Sequence, residues 1–399
     1  MRGMKLFVFL MLAVMLVTAC TPQAPAPGGD TGNTGAAPAA GGELKVGVIL
    51  PLSGANVTFG TSAKNGVLLA IEEWNAKGGV AGHKIVPVIE DGQCNPEPSV
   101  NAANKLIDQD GVKFIVGEVC SKATIPVTDI GTEKKVLVIS GTSTNALVTV
   151  DANGATKPYA FRACFIDPFQ GQVGAKFAFE KIGAKKAFLM IDQANDYVKG
   201  LAEEFEKAFT GLGGEIVGTE SYTSKDTDFS TILAKIAETK PDLVYLPDYY
   251  NIVNLVTKQA KEQGITAVFM GGDGWDSTDL DLKSADGGYF TNHYSPEDQR
   301  PEVANFLKNY EAVYKDDKGN PIIPDSFAAL NYDAANVLFN AIEAAGSVDV
   351  DKVKTALEDI KYNGVSGAIT YDDKHNPVKS ATILKVTADG VKFDSVVAP

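Results

Sequence analysis

The chain has 399 residues, 45% of them hydrophobic, and sets 36 basic against 50 acidic side chains for a formal net charge of -14. That balance repels nucleic acid and offers no polybasic face to lipid headgroups, so no nucleic-acid partner is expected. The length exceeds what one hydrophobic core usually holds, and two domains are expected.

In chain order, Arg2 and Lys5 precede an apolar run from Leu6 to Val17 that is short for a bilayer span and ends in small residues. Residues 1–19 read as an export signal. Val17-Thr18-Ala19-Cys20 resembles a bacterial lipobox, which implies cleavage before Cys20 and its lipidation. An ordinary signal peptide with an incidental cysteine is the alternative. Residues 21–42 are almost wholly Ala, Pro, Gly and Thr, with Asp30 the only charge, so they cannot bury a core. With Cys20 they read as a tether whose ends lie roughly 25 Å apart. The expected location is the cell envelope: an exported lipoprotein, periplasmic or on the outer face of the cytoplasmic membrane, anchored by its N-terminal lipid.

From residue 43 onward, strand-like apolar runs alternate with amphipathic helical stretches. The first set of strands is 44–50, 84–90, 113–117 and 136–140, with helical spacing at Val67, Ala70, Ile71 and Trp74 and a stop at Gly78-Gly79. Continuous apolar strands imply burial on both faces, the pattern of a parallel sheet. A second set follows at 185–192, 215–222, 242–247 and 267–272. Beyond Asp286 come a strand at 289–294, helices near 301–315 and 325–345, and an apparent hairpin over 367–386 turning at Asp372 to Pro377. The fold class is α/β, two doubly wound parallel-sheet lobes joined by three crossovers. Lobe 1 takes residues 43–161 and 293–364, and lobe 2 takes 162–292 and 365–399.

Three cysteines fall in the exported body: Cys94, Cys120 and Cys164. Cys94 and Cys120 each follow a strand of one βαβ unit, at the same sheet edge, and are expected to pair. A bond from Cys164 to either is the alternative.

Parallel sheets bind ligands beyond the carboxyl ends of their strands. The loops placed there are 51–60, 117–124, 140–145 and 271–276. An enzyme would need a base for Cys120 or Ser121, yet only His83, His293 and His375 exist and no GxSxG elbow is present, so catalysis is not expected. Ser121 at a helix start marks free backbone N–H groups suited to a carboxylate, or it caps the helix with its own hydroxyl. Thr142 and Thr144 are turn residues or contacts for a polar ligand head. Asp273 could meet an ammonium group or serve its turn. Calcium, suggested by Asp276, Asp279 and Asp281 nearby, does not fit an EF-hand spacing, and no metal or cofactor is expected. Tyr197, Tyr249, Tyr250 and Trp275 lie near strand ends of the second lobe and could form an apolar wall.

Residues 75–96 (NAKGGVAGHKIVPVIEDGQCNP), 116–130 (VGEVCSKATIPVTDI) and 161–178 (FRACFIDPFQGQVGAKFA) resemble the leucine/isoleucine/valine-binding proteins of ABC transporters, in order and with matching spacing. The resemblance runs from about residue 44 to the end. It implies a type I periplasmic binding protein fold that closes on an α-amino acid and delivers it to membrane permease subunits. By the same likeness Ser121 and Thr144 meet the α-carboxylate, and the Thr142 carbonyl, Thr144 hydroxyl and Asp273 carboxylate hold the α-ammonium. Phe59, Tyr197, Tyr249 and Phe327 line the pocket, with Val119 and Trp275 beside them, and Cys94–Cys120 matches the family's disulfide. Asp273 stands where the best-known members carry glutamate, and Glu118 adds an acid near the cradle. A solute-binding sensor, or transport of an amide, urea or aromatic acid, is the alternative function.

Overall fold

The computed structural model describes residues 41–398. The expected signal, Cys20 and the tether through Ala40 lie outside the described residues. The first sheet takes β1 (Glu43–Leu50), β2 (Lys84–Asp91), β3 (Phe114–Gly117), β4 (Leu137–Ser140) and β5 (Ala160–Arg162) in the order β2-β1-β3-β4-β5, all parallel. β3 and β4 are buried along their whole length, as their unbroken apolar sequences FIVG and LVIS require when helices cover both faces. Helices α1 (Val57–Ala76), α2 (Pro96–Asp108) and α3 (Ser121–Lys134) connect these strands.

The second sheet begins after α4 (Asp167–Phe177). Strands β6 (Lys186–Asp192), β7 (Glu215–Tyr222), β8 (Leu243–Tyr245), β9 (Val268–Gly271) and β10 (Tyr289–Asn292) are parallel, connected in part by α5 (Asp196–Gly211), α6 (Ser230–Thr239) and α7 (Tyr250–Glu262). The chain then supplies α8 (Pro301–Val313), α9 (Ser326–Ala345) and α10 (Val350–Glu358), of which α9 packs on α1, β3 and β4 of the first sheet. Gly66 permits this approach: a Cβ there would sit 2.1 Å from the Ala328 carbonyl oxygen. Asp325 caps α9 by accepting the Ala328 N–H at 3.0 Å, and Gly346 ends it at φ +56.

The C-terminal part departs from the sequence reading. β11 (Tyr362–Gly364) and β12 (Gly367–Ile369) pair with each other, whereas β13 (Ala381–Thr387) pairs antiparallel with β10 and with β14 (Gly390–Val397). The expected 367–386 hairpin is therefore reduced to a single bridge, Tyr371 with Pro377. The second sheet, ordered β14-β13-β10-β9-β8-β6-β7, is mixed and not purely parallel. The reason is connectivity: β13 and β14 are joined by a tight turn, which forces them antiparallel. Helix α10 and strand β14 were absent from the sequence reading. Between the sheets the chain crosses three times, after β5, after β10 and before β13. Among the described residues no helix is long and apolar enough to cross a membrane.

Candidate functional site

The loops after β3 and β4 meet at the carboxyl edge of the first sheet. Cys94, beyond β2, is bonded to Cys120, beyond β3, with Cα atoms 5.3 Å apart, while Cys164 is free and buried. Glu118 supports the same junction, since its carboxyl accepts the N–H of Cys120 at 2.6 Å and of Cys94 at 3.2 Å. Burial pushes its pKa up to about 7 against those donors. Cys94, Glu118 and Cys120 are also the one trio of metal-ligating side chains that converges among the described residues, but both sulfurs are committed to each other.

Ser121 is the first residue of α3, not its cap. Its hydroxyl makes no capping bond and instead accepts the Asn145 N–H at 3.2 Å, linking the two loops. Thr142 donates its hydroxyl to the Val119 carbonyl at 3.0 Å, and Ser143 reaches the same oxygen at 2.9 Å, so Val119 contributes through its backbone. The Thr144 hydroxyl is buried beside the Asp167 carboxyl, whose pKa burial pushes up to about 8. Arg162, fully buried at the end of β5, was not singled out in the sequence. Its guanidinium donates to the carbonyls of Ser143 and Asn145 at 2.7 and 2.9 Å and so holds the threonine loop in shape. A charged residue ending an apolar strand was the available signal.

On the second lobe, Asp273 opens the 3-10 turn Asp273–Trp275 that follows β9. One carboxylate oxygen accepts from Gln170 of α4 at 2.8 Å and from the Tyr197 hydroxyl of α5 at 3.0 Å. The other lies 3.3 Å from Nε2 of His293, just past β10. Burial lowers the His293 pKa, and because a carboxylate oxygen only accepts, Nε2 is the donor of this contact. Gly272 is required here, because a Cβ would lie 2.4 Å from the Tyr197 oxygen.

An aromatic series links the lobes. Phe327 of α9 stacks on Phe59 of α1 at 3.9 Å, Phe59 meets Tyr249 edge-on at 5.6 Å, and Tyr249 stacks on Tyr197 at 5.3 Å. Tyr250 donates to the Ala55 carbonyl at 2.9 Å, Thr58 to Asp279 at 2.6 Å, and the Ser326 N–H to Asp276 at 2.8 Å. The lobes are closed on each other.

Trp275 is not brought to this wall. Its indole is buried inside the second lobe, donating to the Leu246 carbonyl at 2.9 Å beside Phe290. At three residues per turn, positions two apart in a 3-10 turn point about 240° apart, so the turn that presents Asp273 to the aromatics sends Trp275 inward. Asp276, Asp279 and Asp281 do not converge among the described residues: Asp276 accepts from Asn292 and Ser326, Asp279 from Thr58, and Asp281 from Ser284. Neither Ser121 nor Cys120 has a histidine partner. His375 bonds the Ala160 carbonyl and stacks on Phe161.

Two α/β lobes connected by three crossovers, with polar loops at their strand ends and aromatics spanning the junction, define a protein that encloses a small molecule by lobe closure. Residues 43–391 match the family model described as periplasmic binding protein, and the chain belongs to that family, a family of binding proteins and not of enzymes. It is 30% identical over 335 residues to the leucine-, isoleucine-, valine-, threonine- and alanine-binding protein of Pseudomonas aeruginosa, covering 83% of this chain and 86% of the relative. The leucine binding protein LivK of Thermotoga maritima superposes with a TM-score of 0.83 at 34% identity, covering 89% of this chain and 99% of that one. The branched-chain amino acid transporter substrate binding protein LivJ of Streptococcus pneumoniae, solved with isoleucine, gives 0.82 at 31% identity, covering 90% and 100%. The fold is the type I periplasmic binding protein fold.

Proposed function

We propose that this chain is the extracytoplasmic solute-binding component of an ABC importer, closing on an α-amino acid with a branched apolar side chain and presenting it to the permease. The observation that carries the reading is the Asp273 carboxylate, positioned by Gln170, Tyr197 and His293 at the end of the aromatic series. A fixed carboxylate takes the ligand ammonium. The Thr144 and Ser121 hydroxyls take the carboxylate, and Phe59, Tyr249 and Phe327 wall the side chain. Molecules lacking either charge leave a desolvated group unpaired and are rejected. Residues 43–161 and 293–364 act as one lobe and 162–292 and 365–399 as the other, and closure is a population shift driven by contacts made only when closed. Cys20 is the lipidated residue that anchors the protein through its tether.

Isothermal titration of the purified protein with leucine, isoleucine and valine, beside benzoate, tests the ligand. Binding of the three amino acids with none for benzoate is expected, and binding of the aromatic acid alone would sink the amino-acid reading. Mass spectrometry of the native N-terminus tests the anchor: an unmodified Cys20 would remove it.

A further inference from the structure

The second and third crossovers wall a separate cavity of about 770 Å³, which takes residues 293, 295, 297–300, 366–368 and 378–380, together with side chains of the β13–β14 edge. That volume lies within the range of small-molecule sites, roughly 300–1,000 Å³. Three large apolar side chains lie on its wall in contact with water: Val378 is 61% exposed, Phe393 43% and Val396 58%. Apolar groups gathered on one patch, as opposed to scattered singly, mark a binding surface.

The charged groups of the cavity are paired off, with one exception. Arg300 bonds Asp298 and the carbonyls of Gly364 and Val365, and Glu297 meets Lys392. Lys379 is buried, and its ammonium donates to the Ala163 carbonyl at 3.0 Å and the Ser366 hydroxyl at 2.6 Å, which leaves it without a carboxylate partner among the described residues. An ammonium carries three donors, so one remains. The Asp333 carboxylate, which could have answered it, is spent on the Val365 and Ser366 N–H groups and the Ser366 hydroxyl. Burial lowers the Lys379 pKa to about 8, against the pull of the nearby Asp333 carboxylate. His293 lines the same cavity. Its Nδ1 is buried without a partner, its Nε2 holds Asp273, and its ring stacks on Phe165 of the first crossover at 3.5 Å.

We propose that this cavity is a second ligand site, taking a monocarboxylate with an apolar body: the carboxylate meets the remaining Lys379 donor and the body covers Val378, Phe393 and Val396. Because the walls are crossovers, an occupant holds them in the closed arrangement and tightens the cleft, and the coupling is reciprocal. His293 is the connection: it lines the cavity and its Nε2 meets the Asp273 carboxylate. The site itself stands apart from the amino-acid reading, and only its coupling to Asp273 rests on it.

Octanoate is the probe. Titrated into the purified protein without amino acid, it binds one to one, and Phe393→Ser and Val396→Ser, both at exposed positions, each weaken it about ten-fold. Saturating octanoate tightens leucine binding at least about five-fold in the wild type, and His293→Gln brings that ratio close to one. No octanoate binding, or wild-type affinity for octanoate in both serine variants, overturns the site. Octanoate binding with unchanged leucine affinity overturns the coupling. Failure of leucine to bind at all would count against the amino-acid reading alone, since the octanoate titration is read without it.

Discussion

At the residue scale, the proposed ligand site turns on Asp273. Its three donors fix both carboxylate oxygens, so the charge is presented in one geometry without reorganisation on binding. Asp273→Ala should weaken amino-acid binding at least about a hundred-fold, near 3 kcal/mol, because a ligand ammonium would then be buried without a counter-charge. Titration calorimetry checks this, and affinity within a few-fold of wild type would move the ammonium site elsewhere. Ser121→Ala predicts a smaller loss, of roughly 1 kcal/mol, with the fold intact, since the hydroxyl bonds the neighbouring loop and does not cap α3. Circular dichroism alongside titration separates the two effects. The ambiguity over Ser121 could not have been settled from the chain alone: N-cap and first helical residue differ by one position, and the partner, Asn145, lies 24 residues away. His293 was weighed in the sequence only as a base for catalysis. Its position against Asp273 depends on β10 pairing beside β9, which no local pattern encodes.

At the element scale, the α1–α9 contact decides how the first lobe is covered and how Phe59 and Phe327 meet. Gly66→Ala places a methyl 2.1 Å from the Ala328 carbonyl oxygen, and backbone must move to admit it. A loss of about 1–3 kcal/mol is expected, read as a lower urea midpoint at unchanged m-value. An unchanged midpoint would mean that the two helices separate freely. The strands and long helices were readable because their apolar residues recur with the period of the element. The C-terminal strands were not, since the 367–386 segment shows two apolar runs and a good turn yet its strands find partners elsewhere: β12 in β11, β13 in β10 and β14. Turn chemistry specifies a reversal of direction, and strand partners are chosen by what surface remains uncovered.

At the scale of the whole molecule, the buried carboxyls give stability a definite pH dependence. Burial pushes Glu118 and Asp248 up to about 7, Asp167 up to about 8, and Asp325, across the lobe junction and near Asp276, up to about 7. In the folded protein these groups keep protons that the unfolded chain has already released, so their contribution is present at low pH and lost as pH rises through 7 to 8. The buried histidines, His293 and His375, have lowered pKa values and act oppositely around the ordinary histidine value of 6.5, and Lys379, lowered to about 8, does so toward pH 8. Between pH 6.5 and 8 the four carboxyls outweigh these opposing groups, and unfolding stability should fall. Urea titrations at pH 6.5, 7.2 and 8.0 measure it, and a flat or rising trend would show that these carboxyls are ionised in the fold.

What the chain determined by itself was the class: alternating apolar strands and amphipathic helices require two layered α/β lobes, and the loops at the strand ends had to carry the polar groups, because both are consequences of short-range pattern. Ser121, Thr142, Thr144 and Asp273 stood out as candidates for that reason, and their ligand roles came from the family resemblance. Only the tertiary structure decided which way each side chain turns: Trp275 into the core while Asp273 faces the aromatics, Arg162 under the threonine loop, His293 onto the clamp. These outcomes follow from the packing of segments tens to hundreds of residues apart, where burial and hydrogen-bond satisfaction over the whole molecule outweigh local preference.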